Sequence, residues 1–153
     1  MLGAIIGDIV GSVYEFNNIK RKDFPLFSAR SRFTDDTVLT VATIDALLND
    51  IPFAKAYKKW YSRYPDVGYG DSFRRWAESG DDQPYNSWGN GSAMRVSPIG
   101  WYFDDLHEVL EWAQASASVT HNDPNGIKGA QATAAAVFLA RQGKTKQQIK
   151  EYI

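Results

Sequence analysis

FTDDTVLTVATIDALL, residues 33–48, is the stretch on which the fold turns. It contains VATI at 41–44, a β-branched run of the kind enriched in strands. Yet Val38, Val41, Ile44 and Leu48 recur at spacings of three and four, the period of a helix and not the alternation of a strand. The period predicts a helix over 35–48. Thr34 is a good N-cap, and Asp35 and Asp36 in the first turn suit the positive end of the helix dipole. Adjacent carboxylates repel, however, and four oxygen-bearing side chains in succession exceed what capping requires. Two readings stand at this point: an ordinary capped helix, or a seat for a hard cation such as Mg²⁺ or Ca²⁺, which takes carboxylate and hydroxyl oxygens.

The same periodicity runs outward from this segment. Leu2, Ile5, Ile6, Ile9 and Val13 form an apolar stripe over 2–13, while Gly3, Gly7 and Gly11 line another face. Glycine costs about 1 kcal/mol against alanine inside a helix. Three at this spacing suggest a face where another backbone comes close. Pro52 opens a helix carrying Phe53, Ala56, Tyr57, Trp60 and Tyr61, and Asp71 starts a short one with Phe73 and Trp76. Residues 79–100 are rich in Gly, Ser, Asn, Asp and Pro and read as a long loop. Segment 104–118 reads as a helix, and Asp123-Pro124 starts another that Gly143 ends. Thr145 and Gln148 make a capping box for a last helix with Ile149, Tyr152 and Ile153. No segment alternates like a strand, and no linker or repeat divides the chain. The expectation is one all-α domain over residues 1–153.

Composition narrows the function classes. The chain has 153 residues, a formal net charge of −1 and 44% hydrophobic residues. Such a length can bury roughly 68–70% of the unfolded surface. The charge balance lacks the basic face of a nucleic-acid binder. The apolar N-terminus is interrupted by Asp8 and has no basic lead, so no signal peptide or membrane span is expected there. Cysteine is absent, which removes disulfides, thiolate metal sites and a Cys nucleophile, and fits a cytoplasmic protein.

Four stretches offer chemistry. In TDDT, the scarcity of histidine (two in the chain) favours oxygen ligands over zinc. Glu15, after the glycine-lined helix, is either a solvated surface acid or a positioned general acid–base. Residues 87–101, SWGNGSAMRVSPIGW, place Gly89 and Gly91 around Asn90, either as a tight turn or as backbone amides aimed at an anion. His121, with Asn122 and Asp123, precedes a helix start; it is either a polar cap or part of a ligand-contacting loop. His107, amid charged helix residues, reads as a surface side chain.

In this order, GAIIGDIVGSVYEF, FTDDTVLTVA, GNGSAMRVSPIGW and SVTHNDPNGIKGA resemble the ADP-ribosylglycohydrolase family, of the dinitrogenase-reductase-activating glycohydrolase type. The resemblance implies a compact all-α bundle with a binuclear Mg²⁺ site. It also implies cleavage of the glycosidic bond between ADP-ribose and a protein side chain or small molecule. Thr34, Asp35 and Asp36 match the family's first metal motif, and Glu15 matches a glutamate near the scissile bond. Gly89, Asn90, Gly91, Ser92 and Met94 match the loop that approaches ribose and diphosphate, and His121 matches a histidine of the cleft. The family's second motif, Asp-x-Asp-Thr/Ser, has no counterpart after Thr37. The chain is therefore expected to be the N-terminal portion of such an enzyme. Alone it is expected to be weakly active or inactive, and unstable unless it forms a homodimer or swaps an element. A non-catalytic ADP-ribose-binding module and a purely structural helical protein are the alternatives.

Overall fold

A computed structural model describes residues 2–153 and shows helices throughout, with no strand among these residues. They are α1 (Leu2–Gly11), α2 (Asp35–Asn49), α3 (Phe53–Arg63), α4 (Asp71–Glu78), α5 (Gly91–Met94), α6 (Ser97–Tyr102), α7 (Leu106–Ser118), α8 (Pro124–Arg141) and α9 (Lys146–Tyr152). The all-α expectation holds. None of these helices is long and apolar enough to cross a membrane.

Asp123 caps α8 as expected, by accepting from the Asn125 amide, and Asp105, which the sequence did not mark, caps α7 by accepting from the Glu108 amide; at α4 the N-cap is Gly70, with Asp71 the first helical residue and no side-chain cap bond. Both halves of the Thr145–Gln148 capping box are formed at α9. Two short helices, α5 and α6, replace part of the expected loop over 79–100. Four and six residues long, they fall below the span that periodicity can detect, and their Gly, Ser and Pro content masks them.

α7 and α8 pack together, α2 packs on α3, and α5 and α6 lie against α8. Small residues permit this closeness: Ala113 and Ala117 of α7 and Ala130 and Ala134 of α8 are fully buried. The expected apolar stripe of α2 is only in part its buried face. Val38 is buried, but Val41 and Ile44 are only partly covered and Leu48 is exposed, whereas Leu39, Ala42, Thr43 and Ala46 are buried. Thr43 belongs inside because its hydroxyl donates to the Leu39 carbonyl at 3.0 Å and meets Tyr57 Oη at 3.2 Å. A satisfied hydroxyl can be buried where periodicity alone would place a larger apolar side chain.

The glycine expectation is also corrected. A Cβ on Gly3, Gly7 or Gly11 would meet nothing within 4 Å. The close approach is at Gly100 instead, where a Cβ would lie 2.5 Å from the Ala134 carbonyl oxygen and 2.9 Å from Val137 Cβ. This glycine lets α6 rest on α8. Gly100→Ala is expected to destabilise by about 1–3 kcal/mol through overpacking, and Gly7→Ala to stabilise by about 1 kcal/mol through helix propensity. Urea denaturation of both variants checks this; the reverse order would refute the packing described.

Candidate active site

The start of α2 is built by a residue outside α2. Thr34 is the N-cap, and its Oγ1 accepts from the Asp36 amide at 3.3 Å. Asp8, on α1, reaches across to the same turn. Its Oδ2 accepts from the Thr34 amide at 2.8 Å, the Thr37 amide at 3.2 Å and Thr37 Oγ1 at 2.5 Å. Its Oδ1 accepts from Thr34 Oγ1 at 2.6 Å. The two threonines that flank the aspartates thus tie the helix end to α1. Thr34 is buried by this and keeps one lone pair after donating to Asp8 and accepting from Asp36.

Asp35 and Asp36 are half-buried on the exposed side of that turn. Burial pushes the Asp35 carboxyl up to about 6, and the charges of Asp36, Glu15 and Asp8 add to the effect while its backbone hydrogen bonding opposes it. Asp36 is raised by burial first and then by Asp8 and Glu15. Glu15 itself is exposed. Four carboxylates from three segments therefore share one negative field. Among the described residues, no three acidic, histidine or cysteine side chains converge closely enough to hold an ion. The Asp35 amide donates to the Val67 carbonyl at 3.1 Å, which fastens the 64–70 loop beside it.

Asp35 also lines a cavity of about 270 Å³. Asp35 and Leu39 form one wall, α4 residues with Gly70 form a second, and Tyr85, Ser87, the Gly89–Gly91 turn, Met94, Arg95 and His121 form the rest. Asp36 does not reach the cavity wall. The Gly89 amide donates to Ser87 Oγ at 3.3 Å. Gly91 gives room to the histidine: a Cβ there would stand 3.2 Å from His121 Cε1. Ser92, expected to face the ligand, is turned away. It is 1% exposed and its hydroxyl donates to the Gly126 carbonyl at 2.8 Å. The turn of α5 that presents Met94 to the cavity sends Ser92 into the α8 contact.

His121 is 3% exposed, so it does not serve as a solvent-facing cap; Asp123 does that work. Burial pulls its imidazole down to about 4, the nearby Arg95 cation adds to this, and a backbone hydrogen bond with Gly89 opposes it. The ring is neutral near pH 7. His107 lies on the surface beside Glu111, as expected.

Sequence reasoning did not single out Asp8 or Arg95, although Arg95 ends the GNGSAMR motif. Asp8 was visible as the lone acid in an apolar helix. Arg95 is completely buried; its Nη2 donates to the Ser116 carbonyl at 2.9 Å and Thr120 Oγ1 at 2.8 Å, and its guanidinium lies 4.0 Å from the Tyr57 ring centre. Its signal was a single charge between the apolar residues Met94 and Val96.

Comparison with known proteins places the chain in a class. The ADP-ribosylglycohydrolase family model matches residues 1–153, and the chain belongs to that family. Among its relatives, ADP-ribosylhydrolase ARH3 of Mus musculus is 31% identical over 94% of this chain and 48% of its own length. The ARH3 of Xenopus tropicalis is 29% identical over 94% of this chain and 50% of its own. ADP-ribosylarginine hydrolase Tri1 of Pseudomonas putida (strain GB-1) is 27% identical over 97% of this chain and 47% of its own. The chain spans about half the length of the curated relatives it matches.

Two variants test the helix start. Asp8→Asn removes a charged acceptor that serves several donors at once, and thermal unfolding should show a loss of about 2 kcal/mol. The folded Asp35 carboxyl holds its proton to about pH 6, whereas the unfolded one releases it near 3.8. The folded chain therefore binds more protons in between, and the Asp35 contribution to stability falls as pH rises through that window. Allowing for its partial exposure, Asp35→Asn should stabilise by about 1 kcal/mol at pH 7.5, or roughly 2–4 °C in Tm. The gain should vanish near pH 3.5.

Proposed function

We propose that this cavity binds ADP-ribose and that the site acts, with Mg²⁺, on the glycosidic bond joining ADP-ribose to a protein side chain or small molecule. One observation carries the reading. Asp35 at the α2 start and the Gly89–Gly91 turn with His121, far apart in sequence, line one cavity. The family match and the names of the ARH3 and Tri1 relatives support the chemistry.

Glycosidic cleavage passes through an oxocarbenium-like transition state. Positive charge developing at the ribose anomeric carbon would be stabilised by the field of Asp8, Glu15, Asp35 and Asp36. Glu15, the exposed member, takes a proton from the attacking water or positions it. The donor set at the helix start suits a hard cation: its oxygens belong to carboxylates and hydroxyls, and their mutual repulsion leaves negative charge to be neutralised. Thr34, Asp35 and Asp36 would hold Mg²⁺, which supplies a Lewis acid for ribose hydroxyls and water. These ligands come from one side, so the ion would keep much of its water. Elsewhere in the lining the neutral His121 and the loop backbone meet the oxygen-rich part of the ligand.

The one-sided ligand set also favours a second reading, a module that binds ADP-ribose without turning it over. Calorimetry with ADP-ribose and Mg²⁺, together with release of ADP-ribose from an ADP-ribosylated peptide, separates the two. Asp35→Ala is expected to weaken Mg²⁺ binding at least about tenfold, a loss of roughly 1.4 kcal/mol, and to abolish any turnover. Glu15→Gln should lower turnover and leave Mg²⁺ affinity unchanged. Binding without release supports the module; absence of ADP-ribose binding refutes both.

A further inference from the structure

We propose that Arg95 and Thr120 are positioning residues that lock His121 in its Nε2–H tautomer, so that the cavity meets an N–H donor and never a histidine lone pair. The claim that this donor serves ADP-ribose rests on the function proposed above; the tautomer itself rests on hydrogen-bond accounting within the chain.

Thr120 Oγ1 has one proton and two lone pairs. Arg95 has no acceptor, so its Nη2, 2.8 Å away, must donate to Oγ1. The single hydroxyl proton then has two candidate destinations: the Ala117 carbonyl at 3.4 Å and His121 Nδ1 at 2.8 Å. That carbonyl already accepts from the Thr120 amide at 3.0 Å and the His121 amide at 2.8 Å, which fills its two lone pairs. The shorter and unsatisfied partner is Nδ1. Thr120 therefore donates to Nδ1, and the neutral ring carries its proton on Nε2.

A further feature favours this direction. Donation from a buried guanidinium polarises the hydroxyl and strengthens its own donation to the next member of the chain. Nε2 lies on the glycine side: a Cβ on Gly91 would stand 3.4 Å from it. The relay Arg95–Thr120–His121 thus ends at the glycine turn, with an N–H that can hold that turn and meet a phosphate or ribose oxygen. A ring held this way offers no base to the reaction, which leaves proton acceptance to the carboxylates around the α2 start.

Long-range proton–nitrogen correlation of the histidine rings, on the complete chain labelled with ¹⁵N-histidine at pH 7, reads the tautomer directly. His107 is exposed and serves as the unlocked reference. The expected spectrum shows His121 as a single Nε2–H species. Thr120→Ser, which keeps the hydroxyl, should retain it, and Thr120→Val should release the ring into a mixture. A wild-type ring protonated on Nδ1 overturns the proposal, and so does a Thr120→Val ring identical to wild type. If Thr120→Val does not fold, the wild-type and Thr120→Ser spectra decide on the same criterion. No ligand is present in this measurement, so its outcome is separable from that of the ADP-ribose binding test.

Discussion

A guanidinium sits in the middle of this fold with no carboxylate against it, and the rest of the molecule is arranged around that fact. Arg95 is fully buried, and none of the ion pairs among the described residues involves it. Removing an unpaired charge from water costs several kcal/mol. Against this stand a cation–π contact with Tyr57, on the order of 2 kcal/mol when desolvated, and two hydrogen bonds from a charged donor, each about 1.5–3 kcal/mol. These contacts join α3, the end of α7 and the loop before α8 to the segment that carries the glycine turn. Tyr57 continues the network to Ser116 at 2.8 Å and Thr43 at 3.2 Å, so α2 and α7 are tied through the same polar centre. The Arg95 charge also acts on the cavity, where it lowers the His121 imidazole and opposes the upward push of burial on the Tyr85 phenol.

The α2 start has the opposite sign and a different construction. Asp8 spans from α1 to the α2 start and accepts from both threonines, which leaves Asp35 and Asp36 half-buried with little to neutralise them. One carboxylate thus serves as structural cement so that two others can remain charged and available. A cavity lined by Asp35 and Asp71 and by the buried Arg95 cation presents both signs of charge to a ligand. That polarity suits a ligand with an electron-poor sugar carbon at one end and a diphosphate at the other.

Much of the fold was legible. Helices α2 and α8 declare themselves through their starts at Thr34 and Asp123, and α3 through the spacing of Phe53, Ala56, Tyr57, Trp60 and Tyr61, because those signals are local. What escaped depends on partners distant in sequence. Thr43 is inside because Tyr57 receives it; Gly100, and not Gly7, is the point of contact because α8 crosses there; Ser92 turns inward because Gly126 offers a carbonyl. The site residues showed the same division. Residue types in TDDT and GNGSAMR suggested ligands, but Asp8 and Arg95 each appear in the sequence as one charge among apolar neighbours, and only the packing reveals that both organise the cavity. Asp35 reaching the cavity and Asp36 remaining behind it is likewise a matter of side-chain direction within one helical turn.

The most direct check on a polarised ADP-ribose cavity is to map where the ligand lands. Backbone amide shifts of the whole chain, recorded during titration with ADP-ribose in Mg²⁺, should move together at Asp35, Gly89 to Arg95 and His121, and stay still along the exposed apolar surface of Leu48, Trp101 and Tyr102. Shifts confined to that apolar surface, or none at saturating ligand, would contradict the account.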